Sequence, residues 1–231
     1  MMHRTQKGRL GAQGYVPALG FDLLTPLYDP FLRFFMREQT LKQRLVEQAA
    51  IRPGDAVLDV GCGTGTLAIL VKQRVPQARV VGLDGDPKVL AIAREKIARA
   101  GLDIQLVEGM AYLPPLPLAS FDRILSTLVL HHLMRDEKRA ALAGIRSLLR
   151  PGGELHVADF GPPEGLYARV VFSLIRYFDG AGRTLDNLEG RLPQLIAEAG
   201  FDEVHETSHV ATPFGTLVYL SARVARYPQE A

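Results

Sequence analysis

Short apolar runs alternate along this chain with stretches whose apolar residues recur every three or four positions. Runs of strand length fall at 56–60, 80–84, 104–108, 121–127 and 154–160. Helical spacing follows them, through Leu67, Ile69, Leu70 and Val71, then at 87–100, at 136–149 and at 192–199. Strand and helix in near-regular alternation predict an α/β domain with a mostly parallel sheet. The near-continuous apolar character of the early runs fits strands covered on both faces. Two last runs, 202–208 and 217–223, lie close together around a Thr212-Pro213-Phe214-Gly215-Thr216 turn, which permits an antiparallel hairpin.

Two stretches stand outside this rhythm. Ahead of the first strand, Asp29-Pro30 is a helix start, a capping acid followed by proline at the first helical position. Phe31, Phe34, Phe35, Leu41, Leu45 and Ala49 follow at helical spacing, so one or two amphipathic helices are expected to about residue 50. Residues 1–20, glycine-rich and carrying Arg4, Lys7 and Arg9, read as a flexible basic arm. The second stretch is an insert at 161–187. Its Leu166, Val170, Val171, Phe172, Leu174, Ile175, Tyr177 and Phe178 cover most faces of a helix, interrupted only by Arg169, Ser173 and Arg176. Such a helix must be covered on more than one side, by the N-terminal helices, an apolar ligand, a twin subunit or a membrane surface. The length of 231 residues suits one domain over 21–231, with 21–52 and 161–187 as additions to it.

The chemistry concentrates where the first strand ends. Val57-Leu58-Asp59-Val60 runs straight into Gly61-Cys62-Gly63-Thr64-Gly65, and the next helix begins at once. Strand, glycine turn and helix form the geometry that holds a nucleotide-like ligand at the carboxyl end of a strand. Here the glycines are spaced G-x-G-x-G, and Thr66 stands where a dinucleotide fingerprint has its third glycine. Asp59 lies inside the strand, where a carboxylate is costly unless a positive or hydrogen-bonding group meets it. Asp84 ends the second strand about 20 residues beyond the turn, the place of an acid that binds ribose hydroxyls. Asp86-Pro87 then caps the following helix. Cys62 fits between glycines because it is small, and no base nearby would make it a nucleophile.

This pattern resembles motif I of the class I S-adenosylmethionine-dependent methyltransferases. Later features resemble the family in order: Ser120-Phe121-Asp122 through Leu130-His131-His132-Leu133, Leu149-Arg150-Pro151-Gly152-Gly153, and Ala199-Gly200-Phe201. The resemblance covers roughly 25–223 and implies a Rossmann-like seven-stranded sheet, order 3-2-1-4-5-7-6, with the last strand antiparallel. It implies S-adenosyl-L-methionine as cofactor, with Asp59 meeting its ammonium and the turn of Gly61, Cys62, Gly63 and Gly65 against it. Asp84 and Gly85 would lie at the ribose, and Gly109, Met110 and Ala111 beside adenine. Met110 stands where the family often has an acid, which leaves adenine to backbone groups and apolar contact. Thr127, at the end of the fourth strand, would border the cofactor. Tyr28, in a Tyr-Asp pair like that often found in the family's N-terminal helices, either approaches the methionine end or belongs to the core.

His131 and His132 lie just past the fourth strand, where open α/β sheets place their sites. Neutral imidazole can take a proton from an acceptor as it is methylated. For His131, that role and a loop-shaping one both fit; for His132, loop shaping is expected. Neither has metal-ligand partners at helical spacing, so no metal is expected. The glycines of Gly152-Gly153 are expected to form the left-handed end of the preceding helix.

Composition narrows the partners. A net charge of +2 argues neither for nor against nucleic acid. The Asn/Asp-Pro-Pro-aromatic sequence of amino-methylating nucleic-acid enzymes is missing, however: Thr127-Leu128-Val129-Leu130 stands in its place. No run approaches the ~18 apolar residues of a membrane span, and the basic N-terminus lacks the apolar core of a signal peptide. A cytoplasmic enzyme acting on a small, mostly apolar acceptor under a 161–187 lid is therefore expected. A quinone- or phospholipid-type acceptor at the membrane surface is the second reading, because the chain broadly resembles the ubiquinone/menaquinone C-methyltransferases. It departs from them where Leu-His-His-Leu replaces their arginine-asparagine sequence. A protein that binds the cofactor without catalysis would keep Asp59 and Asp84. A nicotinamide-dependent oxidoreductase would share only the first strand and turn.

Overall fold

The computed structural model describes residues 38–163, 183–212 and 215–226. The basic arm, the N-terminal helix start with Tyr28, and residues 164–182 of the proposed lid lie outside them.

Seven strands hydrogen-bond into one sheet, with the topology expected from the sequence. In chain order they are β1 (Ala56–Val60), β2 (Arg79–Asp84), β3 (Gln105–Glu108), β4 (Phe121–Thr127), β5 (Leu149–Phe160), β6 (Asp202–Thr212) and β7 (Gly215–Arg223). The spatial order is β3-β2-β1-β4-β5-β7-β6, and β7 alone runs antiparallel to its neighbours β5 and β6. Helices α1 (Glu38–Ala49), α2 (Thr66–Arg74), α3 (Pro87–Ala100), α4 (Arg135–Leu148), α5 (Leu185–Leu188) and α6 (Leu192–Glu198) are packed around it.

Every residue of β1 is buried, as a strand covered on both faces requires. Side chains alternate between two cores. One holds Leu58, Val60, Leu83, Ile124 and Val157 with Leu142 and Ile145 of α4 and Leu195 of α6. The other holds Val57, Val80, Leu125 and Tyr219 with Leu41 and Leu45 of α1 and Leu67 and Val71 of α2. Leu41, Leu45 and Ala49, spaced by four, form the inner stripe of α1, as the sequence pattern predicts. Helix α3 is capped as expected: Asp86 Oδ1 accepts the Lys88 amide at 2.8 Å, and Pro87 takes the first position.

One expectation is corrected. Helix α4 does not end in a left-handed glycine. Its cap is Leu149, in extended backbone (φ −75°, ψ 140°), and β5 already pairs there with Phe121. The register then shifts, so that Arg123 faces Glu154. Gly152, at φ 79°, and Gly153 belong to this irregular start of the strand. A Cβ on Gly153 would lie 2.9 Å from the Arg150 carbonyl oxygen and 3.2 Å from that of Phe121. The glycines serve a strand bulge, a tertiary feature, and not a helix end.

Candidate functional site

The carboxyl ends of β1, β2, β4 and β5 meet on one edge, and the expected residues gather there. Gly61 and Cys62 donate their amides to the Leu83 carbonyl (2.8 and 3.0 Å), which folds the turn over the end of β2. Gly61 has φ 67°, and a Cβ there would fall 2.3 Å from Cγ2 of Val129. The glycine turn and the chain leaving β4 are thus in direct contact. A Cβ on Gly63 would meet nothing within 4 Å, so this part of the turn borders open space. The Cys62 side chain is buried, next to the position a Cβ on Gly82 of β2 would occupy, and burial pushes its thiol well up. It packs, and only its backbone is available to a ligand.

Asp59 is 1% exposed, and among the described residues neither carboxylate oxygen has a hydrogen-bond partner of good geometry. Burial pushes its pKa up to about 7; Lys42 pulls it down, Asp84 adds to the rise, and the nearby Ala68 amide, short of a well-formed hydrogen bond, opposes it. An unpaired buried carboxylate is rare and costly. Its place beside an open glycine turn suits a ligand that brings a positive charge, and S-adenosylmethionine brings an ammonium. Asp84 is prepared differently. Its Oδ2 accepts the Gly63 amide at 2.8 Å and its Oδ1 the Asp86 amide at 2.9 Å. Burial nonetheless raises its pKa, against those amides. A carboxylate offers about four acceptor sites, so each oxygen retains one for a hydroxyl.

Beyond Asp84, a Cβ on Gly85 would lie 2.4 Å from the Met110 sulfur, and the Gly109 amide donates to the Asp84 carbonyl at 2.9 Å. The structure therefore brings Asp84, Gly85, Gly109 and Met110 together. Ala111 turns away from them: its carbonyl oxygen lies against Gly144 of α4, 2.7 Å from where a Cβ would sit. Thr127 ends β4 opposite Ala158 of β5.

At Leu128 the backbone takes φ 56°, a left-handed conformation unusual for a bulky residue and typical of functional turns. It swings the chain into a short helical turn, Leu130–His132. His131 is 4% exposed, and its Nδ1 lies 2.7 Å from Oδ1 of Asp159, which is fully buried. The Leu130 amide donates to Oδ2 (2.8 Å) and the Phe160 amide to Oδ1 (2.7 Å). Burial alone would raise the Asp159 pKa, but His131 and these amides outweigh it and hold it below the ordinary carboxylate value. In the neutral form of the imidazole, a charged Asp159 favours the proton on Nδ1 and leaves Nε2 as an acceptor. Phe160 stands edge-on to the His131 ring, with centroids 4.9 Å apart. The His132 ring lies 3.9 Å from that of His131. Burial presses its pKa to about 3, and a protonated His131 would lower it further, against Asp159, so His132 stays neutral and shapes the turn.

Sequence reasoning missed Asp159. The signal was there: Val157-Ala158-Asp159 repeats the pattern of Val57-Leu58-Asp59, an apolar run ending in an acid at a strand terminus. Among the described residues, no three His, Cys, Asp or Glu side chains group as a metal site.

Comparison with known proteins agrees with this geometry. A family model described as a methyltransferase domain matches residues 57–153. A demethylmenaquinone methyltransferase of Thermus thermophilus is 36% identical over 166 residues, covering 69% of this chain and 74% of that protein. One from Deinococcus radiodurans is 33% identical over 65% of this chain and 63% of its own. Among solved structures, phosphoethanolamine N-methyltransferase 2 of Haemonchus contortus, in complex with S-adenosyl-L-methionine, has a TM-score of 0.69 at 15% identity, covering 81% of this chain and 53% of that one. A SAM-dependent methyltransferase of Aquifex aeolicus has a TM-score of 0.62 at 19% identity, over 84% and 92% of the two chains. At such identities these two structures share the fold.

Proposed function

The chain belongs to the class I S-adenosylmethionine-dependent methyltransferases, and on that premise we propose that it methylates a small, mostly apolar acceptor bearing an acidic hydroxyl, of the reduced-quinone type. The observation that carries this reading is the buried Asp159–His131 pair, set against the glycine turn through Val129.

S-adenosylmethionine, when bound, supplies an electrophilic methyl group on a sulfonium. Asp59 would meet its ammonium, which relieves the unpaired carboxylate. Asp84 would take the ribose hydroxyls, already aligned by the Gly63 and Asp86 amides. Met110 with Gly85 would offer adenine an apolar surface. On the acceptor side, Nε2 of His131 would receive the hydroxyl proton while Asp159 stabilises the imidazolium that forms. Deprotonating a hydroquinone makes its ring carbon electron-rich. That carbon would then be able to accept the methyl group; the ring proton it carries would pass to solvent, and the His131 imidazolium would return its own proton to the oxygen as the ring regains aromaticity. Alignment and exclusion of water do the remainder.

The names of the relatives support a quinone-type acceptor, and Phe160, edge-on to His131, is apolar. Among the described residues no helix is long and apolar enough to cross a membrane. The cytoplasm is the compartment we propose. Incubation with methyl-labelled S-adenosylmethionine and either a reduced demethylnaphthoquinone or phosphoethanolamine tests the reading. Label should enter the hydroquinone, and His131→Ala should lower the rate by roughly 10²–10⁴. Label in phosphoethanolamine alone, or an undiminished rate in His131→Ala, would contradict it.

A further inference from the structure

The stretch 183–188 carries its residues inside out. Helix α5 is one turn long, yet Thr184, Asp186 and Asn187 are buried while Leu185 is 36% exposed. Turning polar side chains inward costs free energy unless each meets a partner, and an apolar turn would pack there more cheaply. Asp186 and the Asn187 amide nitrogen meet specific partners, while the Thr184 hydroxyl and Asn187 Oδ1 have none among the described residues. Asp186 binds Arg135 Nε at 2.8 Å and stands 3.5 Å from Lys138 Nζ. Lys138, fully buried on α4, donates to the Leu133 carbonyl at 2.9 Å and to the Arg183 carbonyl. This clasp ties the segment directly after the two histidines to the 183–188 turn.

Asn187 reaches further. Its Nδ2 donates to the Phe160 carbonyl at 3.0 Å and to Oδ1 of Asp159 at 3.3 Å. That oxygen also receives the Phe160 amide and faces His131 Nδ1. With Leu130 donating to Oδ2, the contacts on the carboxylate among the described residues are two backbone amides, the imidazole and the Asn187 amide. Among these residues Asn187 is the side chain besides His131 that is brought from another part of the chain to hold Asp159.

We propose that Asn187 is a positioning residue for His131. By holding Asp159 it keeps the imidazole proton on Nδ1 and Nε2 free to receive a proton. This rests on the reading of His131 as proton acceptor given above.

The test is the tautomer of His131, read by long-range ¹H–¹⁵N correlation on labelled protein saturated with S-adenosylhomocysteine, which needs no acceptor. Wild type should show one tautomer, with the proton on Nδ1. Asn187→Leu, of similar size without donors, should lose that single tautomer and show a mixture. Asn187→Ser, a shorter donor, is measured beside it and should show a smaller loss, so a folded variant is available if the leucine chain does not fold. Lys138→Met loosens the same turn and breaks no hydrogen bond to Asp159, whose charge the ammonium feels only through space; it should lower Tm and leave the tautomer intact. An unchanged tautomer in both Asn187 variants overturns the inference. So does an equal loss in Lys138→Met, which would make the effect one of general loosening. A wild-type proton on Nε2 overturns the proton-acceptor reading itself, and this inference with it.

Discussion

Two aspartates one strand apart do opposite things with burial. Asp84 is satisfied by backbone amides, whereas Asp59 has no hydrogen-bond partner among the described residues. The consequence for Asp59 is a pH dependence of definite sign. Its folded pKa, about 7, lies above the unfolded value of 3.8, so the folded chain binds the extra proton between those values. Its contribution to stability is therefore full below pH 3.8, falls as pH rises, and is lost above about 7, by ~4 kcal/mol at 1.36 kcal/mol per unit. Thermal unfolding of Asp59→Asn and wild type without cofactor checks this. The stability of the variant relative to wild type should be highest at pH 8 and shrink steadily toward pH 4. A difference independent of pH would show that Asp59 is already compensated. Both aspartates were legible in the sequence because each ends an apolar run, and a buried carboxylate at a strand end demands an explanation. Asp159 ends a run in the same way, but its partners come from residues 130, 131 and 187. No local pattern announces such a meeting.

At the scale of elements, the glycine turn and the turn after β4 are one unit. Gly61 leaves no room for a side chain because Val129 fills it, and Leu128 accepts a left-handed backbone to place Val129 there. Gly61→Ala should cost about 1–3 kcal/mol through steric overlap and positive φ together. Adding Val129→Ala should recover the steric part, so that the double variant is more stable than the sum of the single changes predicts. Strict additivity in denaturant unfolding would mean that the two turns are not in contact. Strands β1, β2 and β4, with the cap of α3, follow from local pattern, because each strand is an apolar run and the cap partner Lys88 lies two residues from Asp86. The start of β5 did not follow. Pro151-Gly152-Gly153 after a helix has the composition of a helix end, and only pairing with Phe121 makes it a bulged strand.

For the whole molecule, one sheet edge is divided between donor and acceptor. In the proposed reading the acids at the ends of β1 and β2 serve the cofactor, and the His131–Asp159 pair at the ends of β4 and β5 serves the acceptor. This division was readable at the donor end, where the glycine turn and its acids are consecutive motifs, and dimmer at the acceptor end, which the fold assembles from distant segments. Calorimetric titration with S-adenosylhomocysteine of wild type, Asp84→Ala and His131→Ala tests the division most directly. Wild type and His131→Ala should bind one equivalent with similar affinity. Asp84→Ala should bind tenfold or more weakly, since two charge-assisted bonds of ~1.5–3 kcal/mol each are lost. Unchanged affinity in Asp84→Ala, or affinity lost equally in both variants, would contradict the assignment of the two ends.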